Sequence, residues 1–226
     1  MNHKFIIIVP FYNEKDTIEE VAKNLVNTGH SLLFVNDGSI DCSNSLLERL
    51  QETIGGFDIV SYTPNQGKGF AIKTGVKEAI YMGYEWFLFM DSDNQFAIDD
   101  MDKFITLAEG DKEAKIIIGN RLFNPIGMPK IRYITNKVMS WIISLFSKQY
   151  IIDSQCGYRM CHKDVFEHKL VENGFGMETE MLIKAGKKGY KIVNCPVKCI
   201  YNKNRVSKIN PIKDTFRFIR LLFKLF

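Results

Sequence analysis

Asp91 and Asp93 stand either side of one serine, directly after the apolar run Trp86-Phe-Leu-Phe-Met90. Five large apolar residues in succession predict a buried strand of a parallel sheet. Acids that follow such a strand emerge at its carboxyl edge, where open α/β sheets bind their ligands. On an extended segment, positions i and i+2 point to the same side. Two carboxylates held together repel each other unless a cation lies between them, and an all-oxygen ligand set suits a hard ion such as Mg²⁺ or Mn²⁺. The chemistry that arrangement favours is the handling of a diphosphate. A calcium loop beginning at Asp91 is excluded: its sixth position is Phe96 rather than glycine, and its twelfth is Asp102 rather than glutamate.

The elements that must position these acids follow from hydrophobic periodicity. A strand is predicted at Phe5–Val9. The helix expected over Asp16–Asn27 opens with an Asp16-x-x-Glu19 capping box and has an apolar face at Ile18, Val21, Ala22, Leu25 and Val26. A strand at Leu32–Val35 leads through Asn36-Asp-Gly-Ser39 to a helix over Asp41–Gln51. A third, at Phe57–Tyr62, ends in Thr63-Pro-Asn-Gln-Gly-Lys-Gly69, and a helix follows to Met82. Beyond the acids come a helix at Ile98–Leu107 and a strand at Ile116–Ile118. This alternation predicts an α/β fold, a mostly parallel sheet with helices on both faces. The loops after the first four strands then gather along one edge.

After Gly119-Asn-Arg121 the pattern changes. Pro125, Gly127 and Pro129 mark a loop, followed by a helix over Ile131–Ser147 with Ile134, Val138, Trp141, Ile142, Leu145 and Phe146 among its apolar residues. Asp153-Ser-Gln-Cys-Gly-Tyr-Arg159 is expected to be a second site loop. A helix at Met177–Lys187 and a short strand at Ile192–Val197 complete one domain over residues 1–201. Glu178 and Glu180 lie two apart on that helix and so face different sides, which leaves one of them to act at a site, for example by holding an arginine.

At 226 residues, 46% apolar and 25% charged, the chain is long enough for one sizeable domain with a hydrophobic core. Five cysteines (42, 156, 161, 195, 199) form no Cys-x-x-Cys pair, and an odd number suggests reduced cytosolic thiols rather than a disulfide framework. The N-terminus runs straight into a strand with no cleavable signal, and no stretch reaches the roughly 18 uncharged residues of a membrane span. A cytoplasmic location, peripheral at the inner face of a membrane, is expected. Residues 202–226 hold seven lysines and arginines against Asp214, a net +6, whereas the other 201 residues hold 23 basic and 25 acidic side chains, a net −2. No nucleic-acid motif accompanies the basic patch, so a membrane surface or a phosphorylated ligand fits it better. From Pro211 the tail predicts an amphipathic helix. Ile212, Phe216, Ile219, Phe223 and Phe226 share one side, and Lys213, Arg217, Arg220 and Lys224 form a separate basic stripe. Such a face suits a membrane interface, with Trp141 and its neighbours adding to it, or else packs on the domain or on a second subunit.

Several of these segments, in order, resemble one family. They are Val9-Pro-Phe-Tyr-Asn-Glu14, Asn36-Asp-Gly-Ser39, Asn65-Gln-Gly-Lys-Gly69, Asp91-Ser-Asp-Asn-Gln95, Gly119-Asn-Arg121, Asp153-Ser-Gln-Cys-Gly-Tyr-Arg159, Glu178-x-Glu180 and Arg205-Val-Ser-Lys208. Together they resemble family 2 glycosyltransferases of the GT-A fold, in particular the polyprenyl-phosphate sugar synthases akin to dolichol-phosphate mannosyltransferase. The resemblance implies a donor half at about 1–120 and an acceptor half at about 121–201. It implies that Pro10, Tyr12, Glu14 and Asp37 hold the nucleotide, Tyr12 by stacking and Asp37 by accepting from a base N–H. Asn65, Lys68 and Gln95 would serve the donor diphosphate, with Gly67 and Gly69 letting the backbone approach it. This is not a Walker loop, whose Gly-x-x-x-x-Gly-Lys-Ser/Thr spacing is absent. Asp93 would contact Mg²⁺ or Mn²⁺ directly, with Asp91 orienting metal or sugar, and Arg121, Arg159, Arg205 and Lys208 would bind phosphate.

The implied reaction is an inverting displacement at the anomeric carbon of a UDP- or GDP-sugar by polyprenyl phosphate. A sugar-hydroxyl acceptor in cell-surface glycan synthesis is the alternative; it needs a general base, for which Asp153 is the first candidate. A non-catalytic nucleotide-sugar-binding module of the same fold is a third reading. The implied partners are the nucleotide-sugar, the lipid phosphate, a membrane surface reached through the C-terminal helix and, if the tail packs on another subunit, a homo-oligomer. The segment Arg205-Val-Ser-Lys208 is shorter than the usual family spacing, which bears on the acceptor rather than the reaction.

Overall fold

The computed structural model describes residues 4–95, 97–174 and 176–198. The first half alternates strand and helix as the periodicity implies: β1 (Phe5–Phe11), α1 (Ile18–Val26), β2 (Leu32–Asp37), α2 (Ser43–Ile54), β3 (Asp58–Tyr62), α3 (Lys68–Tyr81) and β4 (Trp86–Phe89). A 3₁₀ turn at Ile98–Asp100 enters α4 (Met101–Gly110), and β5 is Ala114–Asn120. The second half adds α5 (Lys130–Ser147), β6 (Arg159–His162), α6 (Gly176–Lys187) and β7 (Lys191–Pro196). All seven strands join one sheet in the order β3-β2-β1-β4-β6-β5-β7.

Burial explains the central strands. Ile6, Ile7, Ile8 and Val9 of β1 and Leu33, Phe34 and Val35 of β2 are fully buried, as strands covered on both faces must be. Chain order runs outward from β1 through β2 to β3, then returns to β4 on the other side of β1. Parallel crossovers are right-handed, so α1 and α2 cover one face of the sheet and α3 the other. Where the order reverses, between β1 and β4, a crevice opens beyond the carboxyl ends of the strands.

Two expectations are corrected here. The Asp16–Glu19 capping box does not form: Thr17 occupies the N-cap of α1 and makes no side-chain cap. Its hydroxyl instead donates to the Ser92 carbonyl at 2.9 Å, tying the start of α1 to the acidic loop. The sequence also left β6 unrecognised. This four-residue strand runs antiparallel between β4 and β5, pairing Arg159 with both Phe89 and Ile118. Because β6 runs backwards, its first residue lies near the carboxyl edge of its neighbours. The loop 153–159 is thereby delivered to the same edge as Asp91.

Candidate active site

Three loops at the carboxyl edge interlock before any side chain meets a ligand. Asn13, in a left-handed conformation (φ 54°), accepts from the Ile40 N–H at 2.9 Å, and the Glu14 N–H donates to Ser43 Oγ at 2.8 Å. This binds the loop after β1 to the loop after β2. The acidic loop is held on α1 by Asn94, whose amide donates to Glu20 at 2.9 Å, and it closes on itself where Asp93 accepts from the Gln95 N–H at 3.1 Å. Pro10 sits within β1, while Tyr12 just beyond it is 37% exposed at the crevice.

The nucleotide loop is organised around Asp37. Its buried carboxylate accepts from Tyr62 Oη, Asn65 Nδ2 and the Gln66 N–H, each at 2.8 Å, and from the Gly67 N–H at 3.0 Å. A carboxylate offers about four lone-pair sites, so these donors fill it. A nucleobase N–H reaches Asp37 only if one of them yields. Gly67 and Gly69 likewise serve the fold rather than lying open to a ligand. A Cβ on Gly69 would lie 2.7 Å from the Gly174 carbonyl and 2.6 Å from Met177 Cβ, so α3 starts flush against the 173–174 backbone. Lys73 secures the same segment, donating to the carbonyls of Leu170 and Glu172 at 3.2 and 3.1 Å.

Lys68, first residue of α3, reaches the acidic loop. Its ammonium lies 2.6 Å from Asp91 Oδ1 and 3.4 Å from Glu178 Oε1. Burial opposes the charge on both Lys68 and Asp91, but their attraction prevails: the lysine is raised above its ordinary pKa, and the aspartate is lowered with help from Arg121 and Arg159. A depressed carboxylate pKa contributes stability that is present above the unfolded value of about 3.9 and is lost as pH falls through the folded value. The pair therefore stays intact well into the acid range.

The acceptor side is built on two buried arginines. Arg121 donates through Nε and Nη2 to the two oxygens of Asp153 at 2.8 and 3.0 Å, and its backbone N–H adds a third bond. Asp153 has no exposed surface and Arg121 is 3% exposed. Arg159 donates to the carbonyls of Cys156 and Ser154 and faces Glu178 at 3.7 Å; among the described residues its buried Nη1 has no hydrogen bond. Of the two glutamates on α6, Glu178 enters this cluster. Glu180 instead accepts the Val171 and Glu172 N–H groups at 3.0 and 2.9 Å and pairs with Lys184. Burial pushes the Cys156 thiol up to about 12, so it packs as an inert side chain. Arg205 and Lys208 lie outside the described residues, as does the predicted tail helix.

The structure thus brings together Lys68, Asp91, Arg121, Asp153 and Arg159 from the sequence-based set. Of the two glutamates the sequence offered, Glu178 is the one that meets an arginine, and the structure adds Gly157. Gly157 is required because a Cβ there would run into the Asp91 carboxylate. Gly157→Ala is expected to lower kcat roughly 10–100-fold through misplacement of Asp91. Steady-state kinetics beside a thermal melt tests this; unchanged kcat would show that the placement of Asp91 does not matter.

Charge shows what the cluster lacks. Lys68, Arg121 and Arg159 each face a carboxylate already, in Asp91, Asp153 and Glu178. Asp93 adds further negative charge. Among the described residues, the cations of this cluster are thus already paired, and a divalent ion is the group that would balance an incoming diphosphate here. Among the described residues no group of three His, Cys, Asp or Glu side chains forms a protein cage for one. Mg²⁺ needs no such cage, because it commonly takes one or two carboxylates and completes its shell with phosphate oxygens and water. Asp91 and Asp93 fit that pattern.

Comparison with known proteins places this geometry. A UDP-N-acetylglucosamine–dolichyl-phosphate N-acetylglucosaminyltransferase from Methanococcus voltae is 29% identical over 96% of this chain and 94% of its own length. An undecaprenyl-phosphate mannosyltransferase from Micrococcus luteus is 22% identical over 92% of this chain and 88% of its own. The solved structure of glucosyl-3-phosphoglycerate synthase from Mycobacterium tuberculosis, in complex with Mn²⁺ and UDP-glucose, superposes with a TM-score of 0.72 at 15% identity, covering 99% of this chain and 78% of that one. Residues 6–175 match the family described as Glycosyl transferase family 2. With three-quarters of its length inside that match and a GT-A sheet carrying the acids at its switch point, the chain belongs to glycosyl transferase family 2 and is a glycosyltransferase.

Proposed function

We propose that this glycosyltransferase moves a sugar from a UDP- or GDP-sugar to a polyprenyl phosphate, with inversion and with Mg²⁺ or Mn²⁺. The observation that carries the reading is the buried Arg121–Asp153 pair. Both oxygens of Asp153 are engaged, so the leading candidate for a general base is occupied in orienting an arginine. A sugar hydroxyl needs a base; a phosphate, already anionic near neutral pH, needs positioning. The similarity to lipid-phosphate glycosyltransferases supports the same choice.

The donor half, residues 1–120, holds the nucleotide. Tyr12 offers its face to the base, and Asp37 shapes the pocket by fixing residues 65–67 beneath it. Lys68 keeps Asp91 ionised, and Gln95, at the end of the same loop, would serve the diphosphate. Asp91 and Asp93 would hold the metal, which when bound would supply neutralisation of the charge on the departing nucleoside diphosphate. In the acceptor half, residues 121–201, Arg121 and Arg159 draw the lipid phosphate toward the sugar. Its oxygen forms the new bond to the anomeric carbon as the bond to the diphosphate breaks on the opposite side. No proton has to be removed.

The test is transfer of radiolabelled sugar from UDP- and GDP-sugars to a short-chain polyprenyl phosphate, with Mg²⁺, with Mn²⁺ and with EDTA. Product is expected only with a divalent ion. Equal turnover in EDTA would remove the metal, and transfer to a sugar alcohol but never to the lipid phosphate would overturn the acceptor.

A further inference from the structure

Helix α5 packs Met139, Ile142, Ile143 and Phe146 against the core and yet carries a second apolar stripe that faces outward. The face it turns to the domain carries Asn136, Ser140, Ile143 and Ser147, all buried. Ser140 bonds the buried Ser154 at 3.0 Å, and Ser147 packs so closely on Gly186 that no side chain fits there. The outward face carries Ile131, Ile134, Val138, Trp141 and Leu145, each between 51% and 72% exposed. Their spacings of three and four place them in a single stripe. Phe123 and Ile126, on the loop leading into the helix, are 72% and 74% exposed. Of the apolar residues the sequence offered on this helix, Ile142 and Phe146 pack partly buried against the core, whereas Ile134, Val138, Trp141 and Leu145 are left outward. A contiguous patch of this kind marks an interaction surface.

Charge identifies what the patch meets. From Arg121 to Ile152 there is no aspartate or glutamate, against five lysines and arginines. Lys130, Lys137 and Lys148 are exposed, and their spacings of seven and eleven line them up along one flank of the stripe. We infer that the outward face of α5, with Phe123 and Ile126, docks on an anionic lipid bilayer. An apolar stripe edged by lysines, with an amphipathic Trp, suits a helix lying in the membrane interface. Among the described residues no helix is long and apolar enough to cross a membrane, so α5 lies on the surface. A second copy docked through the same helix would set one acid-free segment against another. The segment 202–226 is itself at +6. Both of those occupants meet like charge; the bilayer meets opposite charge. The inference rests on the lipid-phosphate reading only for its purpose: docking brings the Arg121 edge to the depth at which a lipid phosphate sits.

The probe is the full-length protein with vesicles of phosphatidylcholine alone or mixed with phosphatidylglycerol, with and without brominated acyl chains, all free of polyprenyl phosphate. Trp86 is buried and Trp141 is 64% exposed, so quenching by bromine reports Trp141. The expected result is a blue shift and quenching on the anionic vesicles, absent in Trp141→Phe. Val138→Glu with Leu145→Glu is expected to reduce vesicle partitioning by about tenfold or more, while transfer to a short-chain, water-soluble acceptor is unchanged. Lys130→Glu with Lys137→Glu, which touches no apolar residue, should remove the preference for phosphatidylglycerol. Partitioning unaffected by either pair of substitutions, or Trp141 left unquenched, overturns the inference. A dimer that the Val138/Leu145 pair dissolves, in protein that ignores vesicles, overturns it too. Vesicle binding through this face without any sugar transfer would leave docking standing and sink the acceptor reading instead.

Discussion

Asp93→Ala is expected to lower sugar transfer about 10³-fold while leaving the melting temperature within about 2 °C of the parent. The loss follows from what the carboxylate contributes. The described cations of the cluster already face Asp91, Asp153 and Glu178, so on the proposed reading the donor diphosphate would depend on a metal held beside Asp91 and Asp93. Metal neutralisation of a leaving group is worth several kcal/mol, and about 4 kcal/mol corresponds to three orders of magnitude in rate. The fold should survive because Asp93 is only partly buried and bonds within its own loop, to the Gln95 N–H. Substitutions of that kind stay within about 0.5 kcal/mol, or about 2 °C for a domain of this size. Transfer kinetics and differential scanning calorimetry on the same preparation check both halves. Full turnover in the variant would detach the acidic loop from the chemistry.

Asp153→Ala makes the opposite pattern: a large loss of stability, with activity following the fold. It leaves the Arg121 guanidinium 3% exposed and without its bidentate partner. Removing one member of a buried ion pair costs about 3–5 kcal/mol, because the remaining charge cannot be solvated. At about 2–4 °C per kcal/mol, the melting temperature should fall by about 6–20 °C. Arg121→Met with Asp153→Leu, which removes both charges, should recover most of that stability and still fail to transfer sugar. A general base would give another signature: Asp153→Asn, which keeps an acceptor for Arg121, would lose turnover far out of proportion to its loss of stability. Calorimetry and transfer kinetics of the three variants distinguish the two roles, and a normal melt for Asp153→Ala would contradict the structural one.

Much of the donor half was legible in the sequence because its signals are local. The run Trp86–Met90 is too apolar to be anything but buried, and the two acids after it cannot share that burial. Ile18, Val21, Ala22 and Leu25 recur at helical spacing, and all four are buried on α1. The alternation of such segments determined a mostly parallel sheet, and chain direction alone then gathered the loops after its strands along one edge. Asp37 and Lys68 were recognisable as loop residues at that edge for the same reason.

What the sequence could not determine was decided by pairing between distant segments. Arg159-Met-Cys-His162 is too short to announce a strand, and only insertion between β4 and β5 makes it one. That single antiparallel strand carries Gly157 up to Asp91 and Arg159 toward Glu178. The partners of each charge were equally invisible: Lys68 to Asp91, Arg121 to Asp153 and Asp37 to residues 62–67 are contacts over long loops or between elements. In α5, periodicity established an apolar stripe but not its direction. Packing of Ser140 and Ser147 against the domain left Ile134, Val138, Trp141 and Leu145 outward while Ile142 and Phe146 met the core. Periodicity records which residues share a face; which way the face points is set by the neighbours that tertiary structure brings to it.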